Sequence, residues 1–426
     1  MKSYIAIIAM TTLLYTNAQN HRSSVDPTST SMNGQNNTAT GYFTLHYNNT
    51  GVGNSATGIY SLHNNISGSY NSAIGYHSLI SNISGSYNTA NGYQSLYYNN
   101  MGSYNTASGN QALHNNTTGI YNTATGYQAL YSNNSGAANT ASGYWALHEN
   151  TTGEMNTASG FMALYNNKTG FYNTATGNQA LLNNTEGGYN TASGNQALYN
   201  NTTGSMNTAT GHTALNSNIL GNYNTATGNM ALYNNTTGSM NTASGNQALY
   251  NNTTGNYNTA FGYKAMASAV DANNQTVIGY EATGQADNSV VLGNENVTAV
   301  YMGEDSGAKI YAGEGSFTGN ITIGGDVVVS SDARLKANIM SLGSTLAKLM
   351  LIDGKTYTTR RDGKQKIGVL AQDIQNVFPE LVSQDDDKML AVNYQGLIPI
   401  LINALKEQDA KISRLEQLTK ELITNE

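Results

Sequence analysis

The chain has no cysteine, only 3 prolines and 1 tryptophan, and charged residues fill just 10% of its 426 positions. Without cysteine there are no disulfides and no thiolate metal ligands, so a robust fold must rest on non-covalent contacts. A chain poor in both charge and proline is not an ordinary solvated disordered polymer, which is rich in one or the other. The net charge of -7, with no basic patch outside a balanced C-terminal region, argues against nucleic acid as a partner. Nothing in the composition calls for a cofactor or a metal.

What is present is repetition. The tripeptide Asn-Thr/Ser-Ala recurs fourteen times, at Asn37, Asn54, Asn71 and onward to Asn258, always at the same interval of seventeen positions. A glycine follows four positions after each of these asparagines (Gly41 to Gly262), and a leucine eight after (Leu45 to Leu249, with Met266 closing the series). A second glycine series runs from Gly51 to Gly255. One leucine and two or so small apolar residues cannot make a core alone, so each unit must bury that face against its neighbours. Each unit holds two short strand-like runs, both closed by a glycine that can supply positive φ, and no 3.6-residue apolar period appears. The expected fold is mainly β: an elongated β-solenoid of fourteen coils over 37–268, with Asn and Thr side chains stacked as ladders.

Several features inside the repeat have two readings. The sequons at Asn48 and Asn116 fit glycan acceptors, but the repeat alone accounts for them. His46, His63, His114 and His148 share one phase with Tyr97, Tyr131, Tyr165 and Tyr199, which suits either a sugar-stacking stripe or a ladder packing on itself. Pairs such as Thr38 with Thr40 and Thr123 with Thr125 put two hydroxyls on one strand face, as in a solvent-facing ladder or an ice-ordering array. A glycosidase needs paired carboxylates in a cleft, and the charged residues of Asn37–Gly262 are only Glu149, Glu154, Lys168 and Glu186.

The first residues, "MKSYIAIIAMTTLLYTNAQN", place one lysine ahead of an apolar run and a small-residue segment ending at Ala18. The pattern predicts a signal peptide over 1–18, then a linker over 19–36, and an exported chain at the cell surface or outside the cell. The apolar run is shorter than the roughly 20 residues of a spanning helix, and the mature chain is expected to have no membrane span.

After Ser268 the period stops, and 269–330 reads as an irregular β-roll or neck with Val/Ile/Leu-Gly half-turns in "TVIGYEATGQADNSVVLG" (Thr276–Gly293). These residues resemble the head repeats of trimeric autotransporter adhesins of the YadA type, a likeness that covers Asn37–Gly293 in style but not in strict repeat length. That resemblance implies a left-handed β-roll of three intertwined chains.

From Ser331 the charge returns, with 26 of the chain's 43 charged residues, 13 of each sign. A break this sharp marks a domain boundary, and 331–426 reads as a small α+β domain. Its elements are a helical stretch over Ser341–Met350, a strand-like turn region, a short helix near "FPELV" and a long C-terminal helix. Ile398, Leu401, Leu405, Gln408, Ile412, Leu415, Thr419 and Leu422 alternate by three and four, a heptad seam over about 395–424. Such a seam suits self-association, or a helix folded back on its own domain.

Three ordered stretches, "SSDARLKANI" (330–339), "IGVLAQDIQNVFPELV" (367–382) and "VNYQGLIPILINALKEQ" (392–408), are similar to the C-terminal intramolecular chaperone of endosialidase tailspikes. This self-cleaving peptidase family includes tail-fibre proteins and the myelin regulatory factors. The resemblance implies a domain that trimerises, guides folding of the β-rich region ahead of it, and then cuts itself off with a Ser-Lys dyad. On this chain it implies Ser331 as nucleophile, Lys336 as base and Ser330–Ser331 as the cleaved bond. A lysine can serve as base once burial lowers its pKa, so the chemistry needs no histidine. The activity would be a single-turnover one, with no turnover enzyme in the repeats. Two functions fit: an exported, adhesin-like homotrimeric fibre that meets a host surface or glycan, or a phage tail fibre with the same chaperone. An uncut structural fibre and an ice-binding fibre are lesser alternatives.

Overall fold

The computed structural model describes residues 34–302, 331–360, 363–384 and 388–424, the backbone of 21–22, and positions 310, 312, 321 and 329. The expected signal peptide and Ser330 lie outside the described residues. The chain divides into two units, 1–309 and 310–426.

The first unit is the expected β-solenoid, and its turn Asn122–Ala138 shows how one repeat closes one coil. Thr123–Thr125 is a three-residue strand with Ala124 buried and both threonines exposed. It pairs in parallel with Thr106–Ser108 before it and Thr140–Ser142 after it, each residue facing its equivalent one repeat away. Ala124, Ala129 and Leu130 are completely buried, and the apolar core is a single file of leucines flanked by alanines.

Only one of the two expected strand-like runs is a strand. The run Gln128–Tyr131 folds as consecutive turns, because Gln128 and Leu130 adopt φ values of 50° and 52°. Left-handed backbone costs about 1–2 kcal/mol at a residue with a Cβ. Here it directs the Gln128 N–H back to the Asn110 carbonyl (2.9 Å) and the Leu130 N–H forward to the Ala146 carbonyl (2.9 Å), so both neighbouring coils are engaged.

Two columns of asparagine run through the interior. Asn139 donates its backbone N–H and its Nδ2 to Asn122 Oδ1 (3.0 and 3.2 Å), and Nδ2 also donates to the Gly153 carbonyl (2.8 Å). In the second column, Asn133 Nδ2 donates to Asn116 Oδ1 (2.7 Å) and to the Gly136 carbonyl (3.0 Å). Buried polar groups must be paired, and an amide that both donates and accepts can pair with a copy of itself. The sequons resolve accordingly: Asn48 and Asn116 are fully buried within this second column.

Both glycine series lie where the next coil approaches too closely for a side chain, and one of them also needs a positive φ. Gly126 has φ +127°, the positive value expected of a turn glycine. Gly136 does not; a Cβ there would lie 2.4 Å from Asn133 Oδ1 and 2.5 Å from the Gly153 carbonyl oxygen, so close approach excludes a side chain.

Outside the core, the histidine phase packs on itself. The rings of Tyr97, His114, Tyr131, His148 and Tyr165 stack at 5.0, 4.9, 5.1 and 5.1 Å.

The same register also extends past the visible tripeptide series. Thr276–Ile278 pairs with Thr259–Phe261 at the unchanged offset, and only the last step, from Thr276 to Val290, is shorter. Gln275 replaces asparagine there, with its N–H on Asn258 Oδ1 (3.0 Å) and its Nε2 on Ser268 Oγ (2.6 Å). In the segment expected as a linker, the backbone of His21–Arg22 pairs with Thr38–Ala39.

The second unit contains helix α1 (Leu346–Leu349), an antiparallel pair β1 (Lys355–Thr358) and β2 (Gln365–Gly368), helix α2 (Ala371–Val377), a second antiparallel pair β3 (Val382–Gln384) and β4 (Leu390–Val392), and helix α3 (Leu397–Thr424). The expected helix over Ser341–Met350 is confined to α1. Ile374, Phe378, Leu381 and Ile400 form a small core, with Leu349, Ile352, Val369 and Val392 against it. Helix α3 is about 42 Å long for its 28 residues. Ile400 and Ala404 face the core, whereas the seam residues Ile398, Leu401, Leu405, Ile412, Leu415 and Leu422 are exposed.

The tight coil contact at Gly136 can be measured. Gly136→Ala is expected to destabilise the solenoid by about 1–3 kcal/mol in urea unfolding, by overpacking. Thr125→Ala on the solvent face should change it by no more than about 0.5 kcal/mol. Burial holds the His63, His77 and His114 rings below their ordinary pKa. The unfolded chain therefore binds more protons, and stability should fall as pH drops below about 6.5. His114→Tyr, which keeps the stack, should flatten that dependence, and an unchanged slope would contradict this assignment.

Candidate functional site at Ser331 and Lys336

The stretch that follows Ser330 folds locally. Asp332 is extended (φ -62°, ψ 134°) and caps a single 3-10 turn, Ala333–Leu335, after which Lys336 is extended again (φ -124°, ψ 141°). The Leu335 and Lys336 N–H groups donate to the Asp332 and Ala333 carbonyls, both at 3.1 Å. This turn folds the lysine back over the serine, and Lys336 Nζ donates to Ser331 Oγ at 2.7 Å. Of the three residues expected at the site, the structure brings Ser331 and Lys336 together, and Ser330 lies outside the described residues.

Both dyad residues are exposed in the single chain. Beside them, Arg334 forms a fork on Asp332, with Nε 3.1 Å from both carboxylate oxygens and Nη2 2.6 Å from Oδ2. These hydrogen bonds hold the Asp332 carboxyl below its ordinary pKa. A primary amine on a hydroxyl is the minimum needed for a base-activated nucleophile.

A second polar cluster, not anticipated from the sequence, lies where the chain leaves this stretch. Glu407 on α3 accepts from Ser344 Oγ (2.7 Å) and from the backbone N–H groups of Thr345 and Leu346, at the start of α1. Asn403 Nδ2 donates to the Gly343 carbonyl (2.8 Å), and Thr345 Oγ1 to that of Ile400 (3.2 Å). Helix α3 thus grips Gly343–Leu346 through three of its residues. The same hydrogen bonds hold the Glu407 carboxyl below its ordinary pKa.

Among the described residues, no three His, Asp or Glu side chains converge as a metal site, and no helix is long and apolar enough to cross a membrane.

Comparison with known proteins places a family at this site. Residues 331–383 match the family described as chaperone of endosialidase, and the match begins at Ser331. The C-terminal region therefore carries a chaperone-of-endosialidase domain. The chain is also similar to long tail fiber protein Gp37 of Escherichia phage AR1, 37% identical over 92 residues, which are 19% of this chain and 8% of that protein. The corresponding protein of Enterobacteria phage Ox2 is 29% identical over 143 residues, 31% of this chain and 53% of its own length. That of Salmonella phage S16 is 26% identical over 146 residues, 32% of this chain and 20% of its own. The chain thus spans little more than half of these relatives at most. They favour the tail-fibre reading over the adhesin-like one.

The Glu407 cluster gives a direct prediction. Glu407→Ala should speed hydrogen exchange at the Thr345 and Leu346 amides and leave the amides of the Asn122–Ala138 coil unchanged. Unaltered exchange at 345–346 would remove Glu407 from the grip on α1.

Proposed function

We propose that the chain is a structural fibre of the tail-fibre kind, whose C-terminal domain brings three chains together and then detaches by cutting Ser330–Ser331. The observation that carries this reading is the 2.7 Å contact of Lys336 Nζ with Ser331 Oγ at the first residue of the chaperone-of-endosialidase match. In the reaction, neutral Lys336 takes the hydroxyl proton and Ser331 Oγ attacks the Ser330 carbonyl carbon. The new C–O bond replaces the C–N bond, and the freed nitrogen takes the proton back from the lysine. Water then hydrolyses the ester, which leaves a carboxylate on Ser330 and restores the Ser331 hydroxyl. The attack is intramolecular and gains the full proximity advantage.

Association supports the same reading. Six apolar seam residues of α3 face solvent in the single chain, and their three-four spacing suits a coiled coil. The resemblance of Asn37–Gly293 to adhesin head repeats, read from the sequence alone, would imply three chains as well. A solenoid of near-identical coils pairs equally well in shifted registers, and a domain that joins the chains at one end removes that ambiguity. Its later removal makes assembly one-way.

A second reading, an exported surface fibre, is favoured by the Lys2–Ala18 pattern. Recovery outside the cytoplasm with a first residue of Gln19 would support it, and cytoplasmic protein retaining Met1 would contradict it.

The test of cleavage is intact mass under denaturing conditions for wild type, Ser331→Ala and Lys336→Ala. Wild type should yield a fragment beginning at Ser331, and both variants should stay whole. A wild type that stays whole, or variants that are cut, would overturn the dyad.

A further inference from the structure

Ser331 and Lys336 are five positions apart, and an extended chain would separate their Cα atoms by roughly 17 Å, beyond the reach of a lysine side chain. Their contact therefore exists only while the intervening residues stay folded as a turn. That turn is one unit of 3-10 helix with two backbone hydrogen bonds, a form too short to persist on propensity alone. What distinguishes it is its cap. Asp332 Oδ1 accepts the Arg334 N–H at 2.9 Å, and the Arg334 guanidinium grips both carboxylate oxygens, which fixes the rotamer that caps.

Resting on the cleavage reading above, we propose that Asp332 is the positioning residue of the reaction: its cap on the Ala333–Leu335 turn holds Lys336 Nζ on Ser331 Oγ. Asp332 does not itself exchange protons with the serine; its role is to accept the Arg334 N–H, and its negative charge is secondary. Arg334 acts one step further out, by holding the carboxylate in place. Residues are thus separated into those that react, Ser331 and Lys336, and those that aim them, Asp332 and Arg334.

The distinction predicts an order of substitutions that a charge-based role would reverse. Asparagine and serine cap turns nearly as well as aspartate, whereas glutamate keeps the charge on a longer stem and alanine has neither property. Cleavage of the full chain would be followed by intact mass against time for Asp332→Asn, Asp332→Ser, Asp332→Glu, Asp332→Ala and Arg334→Gln. The expected result is Asp332→Asn, Asp332→Ser and Arg334→Gln, which lose the guanidinium fork but keep a capping oxygen, within about threefold of wild type, and Glu and Ala slower by about tenfold or more. If Asp332→Ala does not fold, the pair Asn and Glu decides alone. Rapid cleavage by Glu with slow cleavage by Asn would overturn the inference, as would equal rates throughout. Failure of the cleavage reading itself looks different: wild type would then remain whole, or Lys336→Ala would be cut.

Discussion

Each coil of the solenoid buries amide side chains that it cannot satisfy by itself. The side-chain oxygens of Asn122 and Asn133 accept their hydrogen bonds from Asn139 and Asn150, one repeat later. An unpaired buried amide costs about 1–3 kcal/mol, so a slip of a single residue would forfeit that amount in both columns at once. From this constraint the rest follows. The coil length is held constant, Gly136 must lack a side chain to let the next coil approach, and Leu130 accepts a left-handed backbone because its N–H then reaches the coil ahead.

The same constraint creates the assembly difficulty that a C-terminal chaperone would answer. Asparagine columns enforce a shift of whole coils but do not choose among whole-coil shifts, since one coil is nearly the same as the next. Register has to be chosen from an end whose sequence does not repeat. The second unit has that character: its elements are unlike one another, its small core is closed by Ile400 of the long helix, and the seam of that helix remains uncovered in a single chain. Glu407 and Asn403 tie the segment leading away from Ser331 to this same helix. The serine-lysine pair thus lies seven residues ahead of a segment that the seam helix holds.

What was legible in the sequence was what repeats or what is local. The constant period revealed the parallel ladder, and the resemblance of the three C-terminal stretches pointed to Ser331 and Lys336, whose side chains are in contact. Where the sequence misled, a residue acted against its usual preference. Gln128-Ala129-Leu130 reads as strand, and only the left-handed backbone at Gln128 and Leu130 turns it into a corner. Gln275 hid the continuation of the period, because one longer amide still pairs with Asn258. The Glu407 cluster was invisible because its partners, Ser344 to Leu346, lie far earlier in the chain. The pair β3 and β4 was missed as well, since strands this short show no alternation to read.

The central claim is that the coil length is set by buried side chains that pair with their equivalents one repeat away, the amide columns foremost. It is tested most directly by comparing thermal unfolding of two deletions, positions 122–138 and positions 122–137. Removal of the whole coil restores every Asn-to-Asn pairing and should leave a cooperative transition close to that of the intact chain. The second deletion spares Ala138 and so removes less of the protein, but it breaks both columns and should abolish the single transition or lower it sharply. Equal tolerance of the two deletions would contradict the account.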